Sequence, residues 1–239
     1  MLDLGEAMLY SGAEIHRIED SLVRVGQAFN ARSTEAFVLV SFISLTVEFE
    51  DGSALTQTRR ILKGTSYDLD MLEALNSLCR DCNGLTVDEF TDRLNAIIKK
   101  RPSFKKVFWG SILAAGAFTL FFGGNPLDAV IACVFAILIF FMQNSKFSPN
   151  RVFFYLVSSF TVGIAIYLLS AVIPYIDPAK ILIGDIMLLI PGLAITNAGR
   201  DVLIGDTVSA LTRFLESLLY AISLASGIML AMFLSGGIL

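Results

Sequence analysis

Ten residues between positions 185 and 216 could do chemistry in a stretch that is otherwise mostly apolar: Asp185, Pro191, Gly192, Thr196, Asn197, Arg200, Asp201, Asp206, Arg213 and Glu216. Thr196 and Asn197 offer hydrogen-bond donors and acceptors to a small solute. Arg200 offers a planar fork that matches a carboxylate. Asp185, Asp201 and Asp206 are candidates for proton coupling or for orienting Arg200. Pro191 removes a backbone donor and Gly192 loosens the helix, and freed backbone groups in hydrocarbon each cost several kcal/mol. Such a break is tolerated where it faces protein or a water-filled cavity, and broken helices of this kind hold the solute sites of secondary transporters. The first expectation is therefore a transporter, or half of one, with Pro191, Gly192, Arg213 and Glu216 as gating or coupling positions. Each feature also has a plainer reading: a proline kink, an aspartate reaching the membrane interface, a solvated Arg200–Asp201 pair, and an i,i+3 surface pair of Arg213 with Glu216.

The elements that must carry these residues follow from hydropathy. The chain has 239 residues, 55% of them hydrophobic and only 17% charged, against about one quarter charged in an ordinary soluble domain. Most acidic residues and the only His precede Arg101, and after Lys106 the sequence is mostly apolar runs. This predicts a domain over residues 1–101 followed by a membrane domain over 102–239. About 20 apolar residues cross a bilayer core. Five segments qualify, roughly Val107 to Gly124, Leu127 to Gln143, Val152 to Tyr175, Ile181 to Ala198 and Phe214 to Leu239. The first two are joined by the turn Gly123-Gly124-Asn125-Pro126. The fourth contains the break, with Pro191 about 15 Å from its start.

Basic residues set the orientation. Lys99, Lys100, Arg101, Lys105 and Lys106 precede the first span, Lys146 and Arg151 lie between the second and third, and Arg200 and Arg213 between the fourth and fifth. The opposite loops hold only Lys180. The N-terminus is therefore expected in the cytoplasm and the C-terminus outside. The first residues carry no secretory signal pattern. Small residues in the first and fifth spans, such as Gly116 and Gly227, permit close helix contact and suggest a packed bundle or oligomer.

The front domain reads as α-β-β-α-α: an amphipathic helix over Leu4 to Phe29, strands over Ala36 to Phe49 and Leu55 to Leu62, and helices over Asp68 to Cys82 and Val87 to Lys100. Thr86 with Glu89 has the spacing of a capping box. The expected class is thus a five-helix membrane bundle with a small N-terminal α+β domain. No phosphate loop, dinucleotide fingerprint or zinc helix is present, which argues against a self-contained ATP-driven pump and assigns no catalytic residue, cofactor or metal. Cys79-Arg80-Asp81-Cys82 lacks the other two ligands of a zinc site, and His16 reads as a surface residue. The slightly negative net charge gives no nucleic-acid signal.

The segment Leu9-Tyr10-Ser11-Gly12-Ala13-Glu14-Ile15-His16-Arg17-Ile18-Glu19 resembles the opening helix of the threonine/serine exporter family. Thr56-Gln57-Thr58-Arg59-Arg60 is similar to the strand hairpin of that family's cytoplasmic domain. Pro191-Gly192, Thr196-Asn197, Arg200-Asp201, Gly205-Asp206, Arg213 and Glu216 resemble its membrane motif. The resemblance implies export of a small polar metabolite, threonine or serine first and a succinate-type dicarboxylate second, driven by an ion gradient. It implies the split form of the family, in which a second small membrane subunit supplies further spans. The competing expectation is a membrane-anchored regulatory or hydrolytic protein acting through the front domain and His16.

Overall fold

The computed structural model describes residues 1–62, 64, 66–100, 102–144 and 150–236. Arg101 and Lys146, two of the basic residues used for orientation, and the last three residues of the fifth apolar segment lie outside the described residues. The chain forms two compact units, one of Met1–Pro102 with Gly192–Leu215, the other of Ser103–Pro191 with Glu216–Leu239.

The first unit opens with two helices, α1 (Leu2–Tyr10) and α2 (Ile15–Ala28), where one long helix is expected. The break is made by Ser11 and Gly12. Gly12 has φ +89°, and the Gly12 and Ala13 amides bond back to the Leu9 and Met8 carbonyls at 3.1 and 3.0 Å. This is a Schellman stop, which glycine accepts without steric cost. A Cβ at Gly12 would meet the Tyr67 ring at 2.5 Å. The single long strand expected over residues 36–49 is likewise the second half of a hairpin and more: β1 (Ser33–Leu39) turns at Val40-Ser41 into β2 (Phe42–Glu48), which pairs with β3 (Ala54–Arg60). All three run antiparallel in the order β1-β2-β3. Continuous β-branched and aromatic residues hid the two-residue turn.

One face of this sheet packs on α1 and α2. Leu4, Met8, Ile18, Leu22, Val38 and Ile43 form a core with Leu75 and Leu78 of α3 (Leu69–Arg80) and Phe90 and Leu94 of α4 (Val87–Lys99). Asp68 caps α3, and the Thr86–Glu89 capping box is complete at the start of α4. Arg59 of β3 bonds to Asp3 and Glu6 of α1. Also in this unit are α9 (Gly192–Ile204) and the first turns of α10 (Thr207–Ser235).

The second unit contains α5 (Phe104–Phe121), α6 (Pro126–Asn144), α7 (Arg151–Val172), α8 (Pro178–Ile186) and the rest of α10. Four helices, α5, α6, α7 and α10, are long and apolar enough to cross a membrane, among the described residues. The fourth apolar segment is not a continuous helix. It is divided into α8 and α9 at residues 187–191, and neither half reaches spanning length. Pro191 lacks the donor that would continue α8 and biases Ile190 away from helical angles.

The turn at Gly123-Gly124-Asn125-Pro126 joins α5 to α6 as a hairpin. Buried Asp128 fixes it. Its carboxylate accepts from the Asn125 amide and from the Asp177 amide, each at 2.9 Å, so the α5–α6 turn is tied to the α7–α8 connection. Helix α8 packs against α5, α6 and α7. At Gly184 the approach to α5 is so close that a Cβ would lie 2.0 Å from Thr119 Oγ1 and 2.8 Å from the Ala115 carbonyl.

Cys79 lies in the core of the first unit, where burial pushes its thiol up from 9.0 to about 11. The unfolded thiol loses its proton first as pH rises, so stability from this site is whole below pH 9 and is lost between about 9 and 11. Two pH units correspond to a loss on the order of 2 kcal/mol. Urea melts of wild type and Cys79→Ala at pH 8 and pH 10.5 check this: the wild type should lose more stability across that interval than the variant.

Candidate functional site

The residues following Pro191 are organised around the corner between α1 and α2. Helix α9 begins at Gly192, and polar residues of α9 and of the first turns of α10 bond to four consecutive corner positions. Asn197 Nδ2 donates to the Gly12 carbonyl at 3.0 Å. Arg200 pairs with the Glu14 carboxylate. Arg213, from the first turns of α10, donates through Nη2 to the Ala13 carbonyl at 3.0 Å. Its Nε lies 3.4 Å from Asp201 Oδ2, and the Ile15 amide at the start of α2 favours the ionised Asp201 carboxylate.

Local sequence explains the placement. The Schellman stop turns the Gly12 and Ala13 carbonyls outward from α1. Glu14, at the N-cap of α2, makes no capping bond with its side chain, which leaves the carboxylate for Arg200. The chain leaves α9 through Gly205 at φ +97°, and Asp206 then caps α10 by accepting from the Ser209 amide at 3.2 Å.

Asp201 and Arg213 are both buried, with side chains 1% and 6% exposed. The Asp201 carboxyl faces the Arg213 cation and lies near the Asp206 and Glu14 carboxylates. Arg200 is about half exposed, at 52%, so its ion pair is open to exchange with solvent or a solute.

The ten sequence-derived positions thus separate. Asn197, Arg200, Asp201 and Arg213 converge on the α1–α2 corner, and Asp206 builds the neighbouring cap. Thr196 is exposed and its hydroxyl bonds to its own helix at the Gly192 carbonyl, 3.0 Å away. Pro191 and Gly192 form the break and the start of α9. Asp185 and Glu216 belong to the second unit. Asp185 is fully buried on α8, and among the described residues neither carboxylate oxygen has a hydrogen-bond partner. Glu216 accepts from Tyr220 one turn later on α10, and the Tyr220 ring stands 4.8 Å from that of Tyr155 on α7.

The single helix expected over Leu4 to Phe29 gave Glu14 no part in the site and missed the corner. The available signal was Ser11-Gly12, a helix stop inside the amphipathic pattern. His16 lies on the exposed side of α2, 3.4 Å from Asp20. Cys82 donates its thiol to the Cys79 carbonyl at 3.1 Å. Among the described residues no group of three or more His, Cys, Asp or Glu side chains could hold a metal ion.

Against known proteins, the family described as "Putative threonine/serine exporter" (ThrE) matches residues 1–235. No curated protein and no solved structure matches the chain.

Removing one member of a buried ion pair leaves the other charge uncompensated, at a cost of about 3–5 kcal/mol. Arg213→Met should therefore lower the unfolding temperature strongly. Combining it with Asp201→Asn should recover part of the loss, because the stranded carboxylate is gone. Thermal unfolding of the two variants in detergent checks both outcomes.

Proposed function

The chain belongs to the threonine/serine exporter family, and on that premise we propose that it is a transporter subunit that carries threonine or serine out of a bacterial cell across the inner membrane. It is a multi-pass membrane protein of a transport family. The proposal adds a fifth, interrupted passage formed by α8 and α9, a cytoplasmic N-terminus, an external C-terminus and a second membrane subunit that completes an oligomeric transporter. The drive is an ion gradient.

The observation that carries this reading is the constellation beyond the Pro191 break. Asn197 and the half-exposed Arg200 are bound to groups that a free amino acid can replace. A threonine carboxylate competes with Glu14 for the Arg200 fork. The substrate hydroxyl or carboxylate competes with the Gly12 carbonyl for the Asn197 amide, and Thr196 adds an exposed hydroxyl beside it. In this mechanism Glu14 stands in for substrate when the site is vacant, and the cycle exchanges one carboxylate for another. The buried Asp201–Arg213 pair keeps α9 and α10 in register during that exchange.

Asp185 supplies the coupling. An ionisable group inside an apolar bundle marks proton relays and ion pathways. Its carboxylate has no partner among the described residues that would hold it in one charge state. Glu216, bonded to Tyr220, is the second coupling candidate, and Asp206 sets the junction between α9 and α10.

Threonine uptake into everted vesicles containing the chain and its partner subunit tests the assignment. A charge-assisted bond is worth about 1.5–3 kcal/mol, so Arg200→Ala should raise the apparent KM roughly tenfold or more. Asp185→Asn should abolish uptake driven by a proton gradient while leaving exchange of internal for external threonine. Unchanged kinetics in Arg200→Ala would remove the site, and succinate transported in place of threonine would move the substrate to the dicarboxylates.

A further inference from the structure

A second polar site lies in the first unit, away from the α1–α2 corner and formed only by α2 and α3. Arg17, Asp20 and Arg24 are spaced i, i+3 and i+7, so they share one face of α2. Glu73, Asn76 and Arg80 share one face of α3 in the same way. These faces border a cleft of about 510 Å³. That volume falls within the range of small-molecule sites, about 300–1,000 Å³. Beneath it the helices meet along apolar core residues, Ile18 and Leu22 with Leu75 and Leu78; above that core, exposed charged side chains flank the gap, and buried Ser21 and Cys79 line it with Leu69 and Leu72.

The charges are not matched to each other. Among the described residues no carboxylate lies within 4 Å of Arg17, Arg24 or Arg80, and Glu73 has no basic partner. Arg80 reaches only the Ser77 hydroxyl, at 3.2 Å. Asp20 is engaged at 3.4 Å by His16. The cleft therefore offers guanidinium forks for a carboxylate and the Glu73 carboxylate for a cation. A solute with both groups on one carbon satisfies the two demands together, whereas a dicarboxylate would meet Glu73 with like charge.

We propose that the α2–α3 cleft is a regulatory binding site for a free α-amino acid, whose carboxylate is taken by Arg24 and Arg80 and whose ammonium group is taken by Glu73. That the amino acid is the exported one, so that the front domain senses the solute it helps to remove, rests on the function proposed above; the site itself does not. Occupancy draws α2 and α3 together across the gap. Because α2 begins at the corner held by Asn197, Arg200, Asp201 and Arg213, closure of the cleft acts on the same helix that supplies Glu14.

Hydrogen–deuterium exchange on the full chain in lipid nanodiscs tests this with L-threonine, L-serine and succinate as probes. Threonine or serine at millimolar concentration should slow exchange over residues 15–28 and 69–80. Arg24→Ala with Arg80→Ala should raise the half-maximal concentration at least tenfold, and Glu73→Gln should weaken threonine protection; circular dichroism of each variant verifies that the fold is kept. No protection by any amino acid, protection by succinate instead, or protection unchanged in the arginine variant would each overturn the proposal. Exchange reads occupancy and not flux. Threonine protection in a chain that moves no threonine would keep the cleft and sink the transport reading, and transport without protection would do the reverse.

Discussion

A proline at position 191 divides what would otherwise be a membrane-length apolar helix. Without its backbone donor the ladder of α8 stops, and the turn is closed by the Leu189 and Ile190 amides bonding to the Ile186 carbonyl at 2.7 and 3.1 Å. The two products are nine and 13 residues long. At 1.5 Å per residue these are about 14 and 20 Å, each short of a bilayer core of about 30 Å. The division has a consequence for composition. A continuous lipid-facing helix could not place Asn197, Arg200 and Asp201 within two turns of each other without burying unmet polar groups. A short helix packed on protein can, because protein supplies the partners.

The partner is the α1–α2 corner, and the match is one of sign. A Schellman stop presents carbonyls, and Asn197 and Arg213 answer the Gly12 and Ala13 oxygens with N–H donors. The start of α2 presents an amide at Ile15 and the positive end of its helix dipole, and Asp201 answers with a carboxylate. Glu14, anionic, meets Arg200. Burying Asp201 and Arg213 is costly for each alone and tolerable as a pair with further hydrogen bonds. The buried pair therefore fixes geometry, while the Glu14–Arg200 pair, half open to solvent on the Arg200 side, is screened and free to exchange.

Much of this could be read from residue order. The amphipathic period of the front helices, the Thr86–Glu89 box, the Gly123–Pro126 turn and the long apolar helices all follow local rules, and local rules were enough. The front strands were misjudged because Val38 through Phe42 is β-prone throughout, and a two-residue turn without Gly, Asn or Asp leaves no mark. Ser11-Gly12 was legible and overlooked, since the hydrophobic period continues across it. What no local rule could supply was that Asn197 would reach a carbonyl 185 residues earlier in the chain. Both ends of that contact were recognised as motifs, but periodicity says nothing of which motifs meet. Asp185 was legible as an ionisable group in an apolar run; its lack of partners depends on how α5, α6 and α7 pack around α8.

The two buried aspartates differ in what surrounds them. Asp201 has a counter-ion in Arg213 and a hydrogen bond from the Ile15 amide. A pair so placed holds structure. Asp185 has no such match among the described residues and sits on a nine-residue helix that ends at the proline break. Its charge cannot change while it stays sealed, because a bare carboxylate in an apolar interior costs far more than folding can supply. Any step that moves a proton at Asp185 must first bring water or a cation to α8. The close backbone approach at Gly184 leaves no slack for this on the α5 side. Displacement of α8 itself is the route that remains, and the turn at residues 187–191, which ends in proline and separates α8 from α9, is where such a movement would be taken up.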